Sequence, residues 1–299
     1  MDSILHYQIA SELGRGKNGP TYSAVDTGLQ RAVVLKVLEQ QRDAAWRGQF
    51  RDLMERCSGN GDRSLARFYS LEETEGKVIA VREYIEGQSL AELVASGPLD
   101  YERFLNITFG LVKALRGLHD RLIVHGNLTA ENVLIDDSGY VHIVDLGLGE
   151  GVEPTAKELQ CFSPERLAGA PAGESDDLYA LGVLLHLLIV GSYPHTADTA
   201  EELRHRICSD SLSFTPESGK TVPGVARLLI SKLMAREPSD RFSSSDELIH
   251  TVQAMVSLGS GPSVELVEAK GWTARQYLAV SVLVLLLVIL WLVVTLPSK

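Results

Sequence analysis

Cysteines are few in this chain and basic runs are missing, and each shortage closes off a class of protein. Three cysteines among 299 residues, Cys57, Cys161 and Cys208, are odd in number and widely spaced. They form neither a disulfide framework nor a zinc ligand set, and fit free, packed thiols in a reducing compartment. No run of five basic residues occurs and the formal net charge is −11, so the overall balance does not favour a nucleic-acid partner. The eight histidines show no metal-ligand spacing, and a satisfied structural role is expected for each. No internal repeat is visible. Residues 1–6 carry neither the basic region nor the apolar core of a signal peptide.

Against these absences stands one long apolar run. Tyr277 to Leu296 is a stretch of twenty residues without a charge, almost all Leu, Val, Ile and Ala. As a helix it would cover about 30 Å, one hydrocarbon core, and it has no polar face to turn toward water. Residues 277–296 are therefore expected to be a single transmembrane helix anchoring the chain in a lipid bilayer at its C-terminus. Lys270 and Arg275 precede it, so the remainder is expected in the cytoplasm by the positive-inside tendency, although Lys299 on the far side blunts that bias. Residues 256–276, rich in Gly and Ser at their start, read as a linker and juxtamembrane segment.

Residues 7–37 alternate as strands around a glycine-rich turn, with Gly14, Gly16 and Gly19 spaced G-x-G-x-x-G. A dinucleotide-binding unit uses the same spacing, but there the glycines open a helix. Here Thr21 to Val25 continues as a strand, and the next apolar strand holds one lysine, Lys36. Residues 41–57 have helical spacing, 65–70 read as a strand, 78–93 as a strand and hinge, and 101–120 as a helix. The central stretch is HGNLTAENVLIDDSGYVHIVDLG, from His125 to Gly147. It reads as a polar loop, a strand at 132–135, a turn at Asp137-Ser138-Gly139, and a second strand ending in Asp145-Leu146-Gly147. Farther on come Ser163-Pro164-Glu165, the apolar helix 176–191 opening with Asp177, and Arg241 within AREPSDRF.

In this order the motifs resemble the eukaryotic-type Ser/Thr protein kinase superfamily, over residues 7–255. The resemblance implies an α+β, two-lobed fold, with an N-lobe at about 7–84 and a C-lobe at about 85–255. It implies ATP as ligand, with phosphates under Gly14, Gly16 and Gly19 and beside Lys36, and adenine at the backbone of Glu83 and Ile85. Magnesium, as a further cofactor, would be held by Asn132 and Asp145. His125, Glu165, Asp177 and Arg241 take architectural positions: Glu165 pairs with Arg241, and Asp177 braces the catalytic-loop backbone. For Lys36 a water-facing strand-edge lysine is the bland alternative. Arg82, just before the hinge, is either a locally paired arginine or a group that narrows the adenine pocket.

The sequence departs from the family where chemistry is done. The family's His-Arg-Asp-x-Lys-x-x-Asn and Asp-Phe-Gly become His125-Gly126-Asn127-Leu128-Thr129 with Asn132, and Asp145-Leu146-Gly147. Asn127 thus occupies the position of the catalytic base, and an amide is hardly basic. Leu53 falls where the family's helix glutamate would pair with the strand lysine; Asp52 and Glu55 point away around the helix. Glu158 falls where the family's activation segment carries the threonine that touches the catalytic Asp and Lys. His-Gly-Asn also resembles pseudokinase domains, including those paired with Janus kinases, that can still bind nucleotide. The expectation is therefore a membrane-anchored pseudokinase that binds ATP and acts as scaffold or allosteric regulator toward protein partners at the membrane. The alternatives are a weakly active Ser/Thr kinase acting on protein substrates, and a binding module that takes no nucleotide.

Overall fold

A computed structural model describes residues 3–39, 43–57, 63–97, 99–148, 153–215 and 221–259. The chain divides into one unit over Met1–Gly261 and a second over Pro262–Lys299. The expected membrane span at 277–296, and the linker from 260 onward, lie outside the described residues. Among the described residues no helix is long and apolar enough to cross a membrane.

The first unit opens with strands β1 (Ser3–Ile4), β2 (Tyr7–Gly16), β3 (Gly19–Asp26) and β4 (Arg31–Leu38), then helix α1 (Ala44–Cys57) and strands β5 (Phe68–Thr74) and β6 (Lys77–Glu83). The six strands form one antiparallel sheet in the order β1-β2-β3-β4-β6-β5. The period of two along β4 does the sorting. Val33, Leu35 and Val37 pack with Tyr7, Ala24, Ile79 and Val81 on one face. Leu38 packs with Phe50, Met54, Val78, Ala80 and Leu148 on the other. Lys36 shares parity with Leu38, so the lysine joins the face that α1 covers.

Past Glu83 come β7 (Gly87–Ser89), α2 (Leu90–Ala95), α3 (Tyr101–His119), β8 (Val133–Asp136), β9 (Val141–Ile143), α4 (Ala156–Leu159), α5 (Pro164–Leu167), α6 (Glu174–Val190), α7 (Ala200–Ser209), α8 (Gly224–Leu233) and α9 (Ser245–Gly259). Strands β7, β8 and β9 make a small antiparallel sheet. The helical part is held by one large apolar cluster drawn chiefly from α3, α6, α8 and α9. Helix α6 is apolar around its whole circumference and accordingly nearly every residue in it is buried. It stops at Gly191, whose φ of 91° is the left-handed cap that glycine adopts without steric cost. The architecture is thus the mixed α+β one, a sheet-rich lobe and a helical lobe.

Several boundaries shift from the sequence expectation. Asn132 closes a 3-10 turn and the strand begins at Val133. The second strand stops at Ile143, because Asp145 sits at φ 62° in the left-handed region, which breaks a strand and which Asp tolerates better than most residues. The strand read at 65–70 runs from Phe68 to Thr74, with Leu65 making a single bridge to Ile143. Helix α1 is described from Ala44 rather than from 41. Helix α9 continues to Gly259, so the helical unit runs past the boundary expected at 255.

Candidate functional site

The candidate site is built where the β2–β3 turn, β4, the hinge after β6, the loop before β8 and the segment after β9 converge. Register brings them together first: Thr21 pairs with Lys36, and Lys36 with Ala80. Strands β2 and β3 stay paired up to Gly16 and Gly19, so Lys17 and Asn18 form the tip. The three glycines are not equivalent. At Gly14 and Gly16 an added Cβ would meet open space, as a backbone that admits a ligand should. Gly19 has φ +129° and lies against the Val37 carbonyl, so both conformation and space require glycine there.

Lys36 forms an ion pair with Asp145 Oδ2. Their side chains are 13% and 11% exposed, which removes the water-facing reading of the lysine. Leu53 lies over the turn that follows: a Cβ on Gly147 would come within 2.5 Å of Leu53 Cδ2. Asp52 and Glu55 are exposed, so the only carboxylate paired with Lys36 among the described residues is Asp145. Arg82 combines the two readings left open for it. Its Nε donates to Asp145 Oδ1 at 3.3 Å, and its Nη1 to the Glu83 carbonyl at 3.1 Å. One lone pair of the expected adenine acceptor is therefore already used. Ile85, the other hinge position, is half-buried.

The same pairing decides how the carboxylate titrates. Burial alone would raise the Asp145 pKa, but the charges of Lys36 and Arg82 outweigh it and hold it at about 2. A depressed carboxylate contributes stability that is present above its ordinary value and lost as the pH falls through its folded value. Thermal melting of the chain is therefore expected to weaken between about pH 4 and pH 2, and Asp145→Asn to flatten that part of the profile. Parallel profiles for the two proteins would refute the pairing.

The loop before β8 is braced from below. Asp177, buried at the start of α6, accepts from the backbone N–H groups of His125 at 2.8 Å and Gly126 at 2.9 Å. It also bonds His119 Nε2 at 3.0 Å. His125 Nε2 lies 3.2 Å from the Val144 carbonyl, and burial pushes its pKa down. Gly126 has φ +68°, with Arg166 Nη1 3.6 Å from where its Cβ would be. Asn132 Nδ2 donates to the Asn127 carbonyl at 2.9 Å, and Val144 N–H to the Asn132 carbonyl at 2.9 Å. Farther from the cleft, Arg241 and Glu165 form a two-pronged pair.

The magnesium expectation meets a difficulty here. Both oxygens of Asp145 face cationic side chains, so a divalent ion would have to displace one of them or sit beside two positive charges. Among the described residues no group of three or more His, Cys, Asp or Glu side chains gathers as a metal cage. The residues as arranged do not fit a metal at Asp145.

Lys17 and Asn18 make contacts that the family motifs do not imply, whereas Asn127 meets Glu158 as its position in the family implies. Asn18 Nδ2 donates to the Leu148 carbonyl at 2.8 Å, and Lys17 Nζ lies 3.0 Å from Glu158 Oε1. The glycine-rich tip is thereby tied to the segment after Gly147. Asn127 Nδ2 donates to the same Glu158 oxygen at 2.8 Å. Burial would raise the Glu158 pKa, but hydrogen bonds from Thr155, Asn127 and Lys17 prevail and hold it below its ordinary value.

The family model for the protein kinase domain matches residues 7–252. The serine/threonine-protein kinase PrkC of Bacillus subtilis is 28% identical over 253 residues, 81% of this chain and 39% of the relative. Aurora kinase C of Mus musculus is 31% identical over 256 residues, 83% of this chain and 91% of that protein. The serine/threonine-protein kinase PknD of Mycobacterium tuberculosis is 28% identical over 257 residues, 81% of this chain and 38% of the relative. The match thus spans about two-fifths of the length of either bacterial protein.

Proposed function

The chain belongs to the protein kinase domain family, and we propose that it binds ATP in the cleft and transfers phosphate to Ser or Thr hydroxyls of proteins at a low rate. The observation that carries this reading is the buried Lys36–Asp145 pair, with Lys36 on the strand that pairs with the strand leaving the glycine turn. An ammonium beside the phosphate path and open backbone at Gly14 and Gly16 suit a nucleoside triphosphate. The rate is low because Asn127 offers an amide where the family has a carboxylate. A proton acceptor acting from outside that position forfeits part of the about 10²–10⁴-fold that a positioned base contributes, against kinase turnovers of about 1–100 per second. The serine/threonine kinase relatives favour this reading over the pseudokinase expected from the loop alone.

A second reading, a scaffold that holds nucleotide without transfer, draws on Arg82. The guanidinium on the Glu83 carbonyl and on Asp145 fills part of the adenine and metal positions. In that case nucleotide would bias one lobe arrangement and so a partner-facing surface. Under either reading residues 277–296 anchor the chain in a bilayer with the kinase domain in the cytoplasm. Protease added to sealed right-side-out vesicles that spared the kinase domain until the membrane was opened would support this topology; cleavage in the sealed vesicles would refute it.

Thermal melting of the chain with ATP, with and without magnesium, tests the shared premise. ATP at a hundred times its dissociation constant is expected to add about 2.7 kcal/mol, a raised melting temperature that Lys36→Ala abolishes. No shift at millimolar ATP would leave a kinase fold used only as a binding surface. Labelled phosphate reaching protein with that shift supports the kinase, and its absence supports the scaffold.

A further inference from the structure

The loop lacks two charges that family chemistry uses, a carboxylate at Asn127 and an ammonium at Thr129. A carboxylate and an ammonium nonetheless stand within one hydrogen bond of Asn127's amide or one step beyond it. Glu158 Oε1 accepts from Asn127 Nδ2 at 2.8 Å, and Lys17 Nζ lies 3.0 Å from that same oxygen. The other oxygen is fixed locally. Glu158 Oε2 accepts from the Thr155 N–H at 2.7 Å and from the Thr155 hydroxyl at 2.9 Å, the capping box that starts α4. One oxygen thus anchors the side chain while the other faces Asn127 and the glycine-rich tip. The Asn127 Oδ1 is buried without a hydrogen-bond partner, which leaves an acceptor beside the carboxylate in want of a donor.

We propose that Glu158 is the general base of this chain and Lys17 its phosphate-facing cation, a carboxylate–ammonium pair moved off the catalytic loop. The proposal rests on the transfer reading above. In the ATP-free arrangement Lys17 covers Glu158 Oε1. Entering phosphates compete for the lysine, which lies at the tip of the very turn that spans them, and its departure bares one lone pair of Oε1. The acceptor Ser or Thr hydroxyl of a protein substrate then donates to that oxygen. Its proton passes to Glu158 as the hydroxyl oxygen forms a bond to the γ-phosphorus. The bond from the γ-phosphorus to the β–γ bridging oxygen breaks, its electron pair leaves with ADP, and Glu158 returns the proton to water.

Asn127 is left with a positioning role: its amide holds Glu158 Oε1 in place without competing for the proton. An aspartate at 127 would instead set two carboxylates against each other at this distance and raise the pKa of one of them. Asparagine at 127 and glutamate at 158 therefore suit each other.

The test uses the full chain, γ-labelled ATP and dephosphorylated casein, with Lys36→Met as the background control. Glu158→Gln keeps the shape of the side chain and a residue that serves at the third position of a capping box. Its transfer is expected to fall about 10²–10⁴-fold while the ATP-induced rise in melting temperature is kept or enlarged, because Lys17 no longer leaves a carboxylate to meet the phosphates. The acid limb of the pH–rate profile is expected to vanish in the same variant. Asn127→Asp combined with Glu158→Thr, which returns the carboxylate to the loop, is expected to recover transfer at least to the wild-type rate. Wild-type transfer that survives Glu158→Gln within threefold would overturn this proposal and leave the kinase reading intact. A wild-type chain that melts higher with ATP yet transfers nothing sinks the kinase reading, and this proposal with it.

Discussion

Arg241→Met is expected to destabilise the chain by about 3–5 kcal/mol, the usual cost of breaking a buried pair by removing one partner. The Arg241 side chain is 0% exposed, and its guanidinium reaches both oxygens of Glu165 at 2.6 and 2.8 Å. The same group donates to the carbonyls of Ser175, Ala235 and Arg236, and stands 5.0 Å from the ring of Tyr179. Methionine fills much of the volume but donates nothing, so a carboxylate and three carbonyls lose their donor together. A cycle with Glu165→Met should recover part of the loss, because the orphaned carboxylate is then gone. Urea unfolding reads the result as a lower midpoint at unchanged slope. A loss below about 1 kcal/mol would mean that the pair is solvated and that the link Arg241 makes between Glu165 and Ser175 carries little stability.

That pair was implied by the kinase resemblance, carried by Ser163-Pro164-Glu165 and by Arg241 within AREPSDRF. The same holds for Asp177, whose place at the head of an apolar helix is local information. Lys36 was legible as a strand lysine, but which face it took depended on the pairing of β4 with β6. The second strand ends at Ile143 and not at Gly147 because the backbone turns left-handed at Asp145, while the apolar Val144 and Leu146 carry β-like composition past that point. Nothing local in the sequence reports a positive φ at an aspartate. The contact between Lys17 and Glu158 escaped for a different reason. Lys17 sits at the tip of a turn and Glu158 in the short helix α4, their meeting depends on how the glycine turn folds over the cleft, and long-range polar contacts leave no periodicity behind. Arg82 was flagged because a charge inside an apolar strand needs a partner. Its two simultaneous partners, one of them a backbone carbonyl, required the structure.

Arg82→Leu is expected to tighten ATP binding about tenfold and to make that binding depend on magnesium. The gain is the release of one charge-assisted hydrogen bond at the Glu83 carbonyl, about 1.5 kcal/mol, which is close to a factor of ten. Leucine has company there: the small cavity of about 40 Å³ beside Arg82 is walled by Phe50, Met54, Leu65, Phe68, Ala80 and Leu146 among others. Lys36 remains to balance Asp145, so the buried carboxylate is not stranded. With Oδ1 released, Asp145 can face a divalent ion that bridges the phosphates, as the family's nucleotide sites do. In the wild type the two cations already neutralise that carboxylate, and ATP should raise the melting temperature equally with magnesium or with a chelator. Titrating ATP into both proteins, with and without magnesium, separates the cases. If Arg82→Leu binds ATP no more tightly than the wild type, the arginine does not compete for the adenine acceptor. If the wild type already needs magnesium, Arg82 yields Asp145 to the metal as soon as nucleotide arrives, and the obstacle to transfer lies in the catalytic loop alone.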